Sequence, residues 1–128
     1  MIDQPDIRNL ATPRGSLTRR QFLRGTAGSI GVSETTILAI AGLRTARLES
    51  LVFYNSTGGN IVVTAHIVPA GGTAGAANEI VNETLASHAR LSANVAGLGL
   101  GQGDIISAKS DTATSLNAWA SAEIVEGG

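Results

Sequence analysis

Cysteine is absent from this chain, and histidine, proline and aromatic residues are scarce: two, three and four respectively among 128 residues. Without cysteine there is no disulfide framework and no thiolate nucleophile. Any metal site would have to rest on His66, His88 and carboxylates, and the two histidines show no ligand spacing. Each is therefore expected at a surface or rim, with no metal and no cofactor bound. Catalysis would need a base with an orienting partner, and no local context assembles one around His66, so the chain is read as a non-enzyme. Four aromatic residues, Phe22, Phe53, Tyr54 and Trp119, are too few for a stacking platform of the kind that binds sugar chains or single-stranded nucleic acid.

What the sequence does contain points to strands. A chain of this length suits one domain with one core. Sixteen glycines stand among many Thr, Val and Ile residues. That composition favours a β protein with frequent turns and little helix. The formal net charge of -1 conceals a division between the two ends. Residues 1–24 carry five arginines against two aspartates, while the remainder carries four basic residues against eight acidic ones. A basic leader interrupted by Pro5, Pro13 and Gly15 has no hydrophobic period and is expected to run extended. We divide the chain into an extended N-terminal docking arm, residues 1–34, and a β-sandwich domain, residues 35–128.

Residues 51–75 are the organising stretch of that domain. Two β-rich runs flank Asn55-Ser56-Thr57-Gly58-Gly59-Asn60, where two glycines could supply the positive φ of a tight reversal, so a β-hairpin is expected. In its second arm Ile61, Val63, Ala65 and Ile67 share one face by the period of two, and that face is the expected core face. Pro69 should end the strand. Gly71 to Gly75 lacks the Lys-Ser/Thr of a phosphate loop and is expected to be a turn. The glycine-rich run from Ala96 to Gly103 has no strand-to-helix turn behind it, and is expected to be a strand edge rather than a dinucleotide fingerprint.

Further strands are expected at Thr35 to Ala41, at Arg44 to Asn55, twice between Asn78 and Asn94, and at Asp104 to Lys109. The last runs over Leu116 to Val125, where Leu116, Ala118, Ala120, Ala122 and Ile124 face one way and Trp119 the other. Six to eight antiparallel strands without helices give an all-β chain, an antiparallel β-sandwich of jelly-roll-like form. Ile61, Val63, Ile67, Leu116 and Ile124 are its expected buried residues.

The segment Leu17-Thr18-Arg19-Arg20-Gln21-Phe22-Leu23-Arg24 resembles a twin-arginine export signal. The residues that follow include Ser29, Ser33 and Glu34, where such a signal needs an uncharged apolar region. The other use of this segment is adhesive. Leu17, Phe22 and Leu23 would supply apolar anchors, and Arg19, Arg20 and Arg24 forked donors to a partner's carboxylates or carbonyls. Tyr54 and Trp119 are candidate subunit contacts.

From Leu48 to Val125 the chain resembles a type of small β-sandwich protein found in tailed-bacteriophage virions as head decoration, vertex or spike-base, and collar components. The resemblance rests on the Asn-Ser-Thr-Gly-Gly-Asn turn before an apolar strand, the Val-Pro-Ala-Gly-Gly-Thr loop, and the Leu-Gly-Gln-Gly-Asp-Ile-Ile run. It implies a non-enzymatic virion structural protein located in the phage particle. Such a protein would be a homo-oligomer whose arm grips the major capsid protein or a neighbouring virion protein, with neither nucleic acid nor membrane as partner. The alternative is a receptor- or carbohydrate-binding β-sandwich module, from a phage fibre or an exported bacterial protein.

Overall fold

A computed structural model of the chain describes residues 21–42 and 44–125. Its strands are β1 (Phe22–Ile30), β2 (Thr35–Ala39), β3 (Thr45–Asn55), β4 (Ile61–Val68), β5 (Glu79–Leu85), β6 (Arg90–Ser92), β7 (Gly99–Leu100), β8 (Ile105–Ser110) and β9 (Leu116–Val125). One turn of 3-10 helix, Ala76–Asn78, precedes β5. The first sheet has the order β1-β9-β3-β6, with β7 also pairing with β3, and the second has the order β2-β8-β4-β5. Every pairing is antiparallel. The chain changes sheet after each of its first three strands, and returns through β8 and β9 to the centres of both sheets. This is the winding of a jelly roll.

The core lies between the sheets and is built by alternation. Phe53, Leu48 and Leu51 of β3, Val63 and Ile61 of β4, Ile106 of β8 and Leu116 of β9 are fully buried. Each such side chain contributes about 1.5–3 kcal/mol through its removal from water. Ala118, Ala120 and Ala122 line the same side of β9. The small side chains let β1 and β2 approach closely at that end. A Cβ on Gly25 of β1, which pairs with Ala120, would overlap the carbonyl oxygen of Ile37 in β2.

Four expectations are corrected. The stretch Asn55 to Asn60 is not a hairpin, because β3 and β4 belong to different sheets and never pair. Gly58 and Gly59 are not among the glycines with positive φ, whereas Gly71 is, at 75°. The crossing is held by Asn55, whose side chain is fully buried. Its amide donates to the carbonyls of Gly59 (2.7 Å), Leu85 (3.0 Å) and Ala86 (2.9 Å), and its Oδ1 accepts from the backbone N–H (2.9 Å) and hydroxyl (2.8 Å) of Thr57.

Second, Phe22 to Ile30, placed in the arm by sequence, is a sheet strand paired with β9. Arg24 and three glycines or alanines hide its alternation, yet Leu23, Gly25 and Ala27 face inward. The part of the arm before Gln21, with Leu17, Arg19 and Arg20, lies outside the described residues.

Third, Ile67 and Ile124 are only partly buried, since each sits near the end of its strand. Fourth, His66 is buried, as is Val68, although both project to the outer side of β4. The loop after Pro69 and the residues before β2 lie over that end of the second sheet: Gly72, Thr73, Ala74 and Glu34 line one groove with Val68, Ile105 and Ser107.

The turn after β8 is tied to β4 by Asp111. Its Oδ1 accepts from the Val62 N–H (3.0 Å) and the Thr112 hydroxyl (3.1 Å). The Val62 N–H is the main cause holding its carboxyl below the ordinary value; desolvation opposes this, and the Thr112 hydroxyl reinforces it.

Three outcomes follow from this packing. Asn55→Ala orphans a group of backbone partners at once and should lower unfolding free energy by on the order of 2–4 kcal/mol, read by urea denaturation. Gly25→Ala forces β1 from β2 and should cost about 1–3 kcal/mol by the same measurement, with the sheet spectrum retained. A carboxyl with a depressed folded value contributes stability present above the unfolded value, about 3.9, and lost as pH falls through the folded one. The melting-temperature difference between the wild-type protein and Asp111→Asn should therefore close as pH is lowered below about 4, measured by scanning calorimetry.

Candidate interaction surface

The outer face of the first sheet carries the candidate residues. On β9 the odd positions Asn117, Trp119, Ser121 and Glu123 face outward, and the register fixes what flanks them. On one side Phe22 stands opposite Glu123, Arg24 opposite Ser121 and Thr26 opposite Trp119. On the other, Arg47 stands opposite Glu123, Val52 opposite Trp119 and Tyr54 opposite Asn117. Beyond β3, Ser92 is paired with Val52 and Arg90 with Tyr54. Phe22, Arg24, Tyr54 and Trp119, singled out from sequence for two different roles, thus share one face. Leu23 does not join them, because it points to the interior against the core.

Trp119 and Phe22 each leave 45% of their surface to solvent. A depression of about 430 Å³ is lined by Val52, Arg90 and Trp119. Tyr54 is half-buried and stacks on His88, with ring centroids 6.5 Å apart and planes inclined by 27°. Arg47 approaches Glu123 at 3.7 Å. No described residue forms an ion pair or side-chain hydrogen bond with the guanidinium of Arg24 or Arg90. The surface therefore offers flat apolar area beside two uncompensated cations, a combination that suits a partner with apolar and acidic groups. Sequence reading missed Arg90 and Val52. The parity of β3 was legible, but nothing in the sequence showed that β6 would pair with it and carry Arg90 to the same side.

The other cluster of reactive side chains lies on the second sheet. His66 Nδ1 is 3.3 Å from Glu34 Oε1, and the same oxygen accepts from the Ser107 hydroxyl. A nucleophile-base-acid relay needs the base between the hydroxyl and the carboxylate. Here the carboxylate stands in the middle, so the Ser107 hydroxyl bonds to Glu34 and not to the imidazole, and the Ser-His-carboxylate order is not formed. The arrangement is a latch that fastens the segment before β2 to β4 and β8. The described residues hold no group of three or more His, Cys, Asp or Glu side chains able to hold a metal ion.

No protein-family model matches the chain. No curated protein matches it either. Among solved structures it is similar to a subunit described under Bacillus endospore appendages that form a novel family of disulfide-linked pili, with a TM-score of 0.46 and 13% identity over 94% of this chain and 99% of that one. It is also similar to a chain of infectious bursal disease virus, Gt strain, with a TM-score of 0.37 and 14% identity over 87% of this chain. A further similarity is to the D431N mutant VP2 protein of that virus in derived T=1 particles, with a TM-score of 0.33 and 15% identity over 87% of this chain. The chain spans about a third of the length of these viral chains, 34% and 33%.

Proposed function

We propose that this chain is a non-enzymatic structural protein of a virus particle, a capsid decoration or vertex/spike-base component of the tailed-phage kind. Its partner is the major capsid protein or a neighbouring virion protein, and it self-associates as a homo-oligomer. The observation that carries this reading is the sharing of one exposed face by Phe22, Arg24, Tyr54 and Trp119. Arginine and aromatic side chains dominate binding energy at protein contacts, and two of these four, Phe22 and Arg24, lie on the strand that follows directly on the arginine-bearing N-terminal residues. The docking arm, residues 1–34, then has two parts. Leu17, Arg19 and Arg20 belong to the segment before the sheet, and Phe22 and Arg24 extend the same contact along β1. The bonding of Ser107 to Glu34 instead of to His66 leaves the Ser-His-carboxylate order unformed, which supports the non-enzymatic reading.

A second reading, a carbohydrate- or receptor-binding module, is favoured by the open depression in which Trp119 stands beside Val52 and Arg90, an aromatic face with a cationic donor next to it. The two are separated by one set of variants. Removing residues 1–20 spares β1 and should leave a folded sandwich, whereas a cut at residue 30 would remove a sheet strand. Mixed with particles assembled without the protein, the truncated form should occupy few sites, and Trp119→Ala should weaken occupancy at least tenfold, about 1.4 kcal/mol. Full occupancy by the truncated form refutes docking through the arm. Binding to a glycan array that depends on Trp119, without particle binding, replaces the first reading by the second.

A further inference from the structure

The edges of the two sheets are not alike. β2 is short and irregular between Thr36 and Leu38, β5 is bulged opposite His66 and carries Glu79 and Glu83, and β6 and β7 span three and two residues. Shortness, bulges and charge are the usual means of preventing a sheet edge from recruiting another strand. Over Phe22 to Ala27 β1 is neither short nor bulged, its pairing with β9 is unbroken, and Arg24 is its one charge. The direction of its free groups can be worked out. The Ile124 N–H donates to the Gln21 carbonyl, so residues 21, 23, 25 and 27 turn their backbone groups to β9, and the even residues turn theirs away. Arg24 and Thr26 are exposed, and no described residue accepts from their N–H groups or donates to their carbonyls.

We propose that this edge is the contact between two copies of the chain, β1 pairing antiparallel with β1 of a second copy about a two-fold axis at Gly25. The strand's own sequence selects that occupant and that register. With the axis at Gly25, Arg24 lies opposite the second copy's Thr26 and Thr26 opposite its Arg24, and each of these pairs exchanges both backbone hydrogen bonds. On the inner side Leu23 meets Ala27, and the two glycines meet at the centre without side chains. Moving the axis to Arg24 would set two guanidinium groups directly against each other. Moving it to Thr26 would carry the pairing into the irregularity between Ala27 and Ile30. A two-fold axis perpendicular to the sheet keeps both outer faces on one side. The dimer then presents two Trp119 surfaces to the same partner, which gains from their linkage.

The inference gives a surface to the self-association in the proposed function. It is tested on the isolated full-length protein, without any particle, so failure of one leaves the other standing. Sedimentation equilibrium across the micromolar range should show a monomer-dimer equilibrium. Thr26→Pro removes an outward N–H without touching the β9 ladder and should raise the dimer dissociation constant at least tenfold, with the sheet spectrum unchanged. Should that variant fail to fold, Thr26→Glu and Thr26→Arg decide the matter. The first places a carboxylate opposite Arg24 of the second copy and should tighten the dimer severalfold. The second places like charges there and should weaken it severalfold, with both effects shrinking at high salt. A protein that stays monomeric, a dimer indifferent to Thr26→Pro, equal behaviour of the two charge variants, or growth past the dimer through the Thr26-sensitive contact would each overturn the proposal.

Discussion

The buried amide of Asn55 is the interaction on which the winding depends. A chain that passes from one sheet to the other must leave both ladders at once, and the carbonyls released at the corner need donors that water cannot supply there. Asn55 supplies two N–H groups to three carbonyls, from its own loop and from the end of β5, and its oxygen fixes Thr57. One side chain therefore sets the path of the β3 to β4 crossing and fastens the turn that carries β5 into β6. β8 and β9 lie between strands on either side of that crossing, β8 beside β4 and β9 beside β3.

What was legible in the sequence was the local period. The strands from Thr35 onward, the inward alanines of β9 and the outward Trp119 all follow from alternation of apolar and polar residues, which each strand displays by itself. Sheet membership was not legible. Asn-Ser-Thr-Gly-Gly-Asn has the composition of a hairpin turn, and only the long-range bonds of Asn55 to Leu85 and Ala86 distinguish a corner between sheets from a reversal within one. The same limit hid β1. With glycine and alanine inward and arginine outward it buries little by itself, and its reason to be a strand lies in the backbone of β9 and in the closeness of Ile37.

The candidate surface shows the same division. Alternation along β9 placed Trp119 on the more polar side of its strand and alternation along β3 put Tyr54 opposite Phe53 without saying which side was covered; the register then brought both together with Phe22 and Arg24. Arg90 came to that face through a three-residue strand whose partner no short-range pattern indicates. His66 was misplaced for the opposite reason. Its parity was right, but its cover comes from a loop and from Glu34, neither of which belongs to its strand.

Having its single tryptophan on the outer face has a spectroscopic consequence. Phe53, Leu48 and the other large core residues contribute no indole, so the ultraviolet emission of this protein is governed by an indole already 45% in contact with solvent in the folded state. Unfolding carries that indole further into water, whereas burial beneath another macromolecule withdraws it from water, so the two events shift its emission in opposite directions. The sign of the shift in intrinsic fluorescence therefore tells loss of the fold from cover on the first sheet.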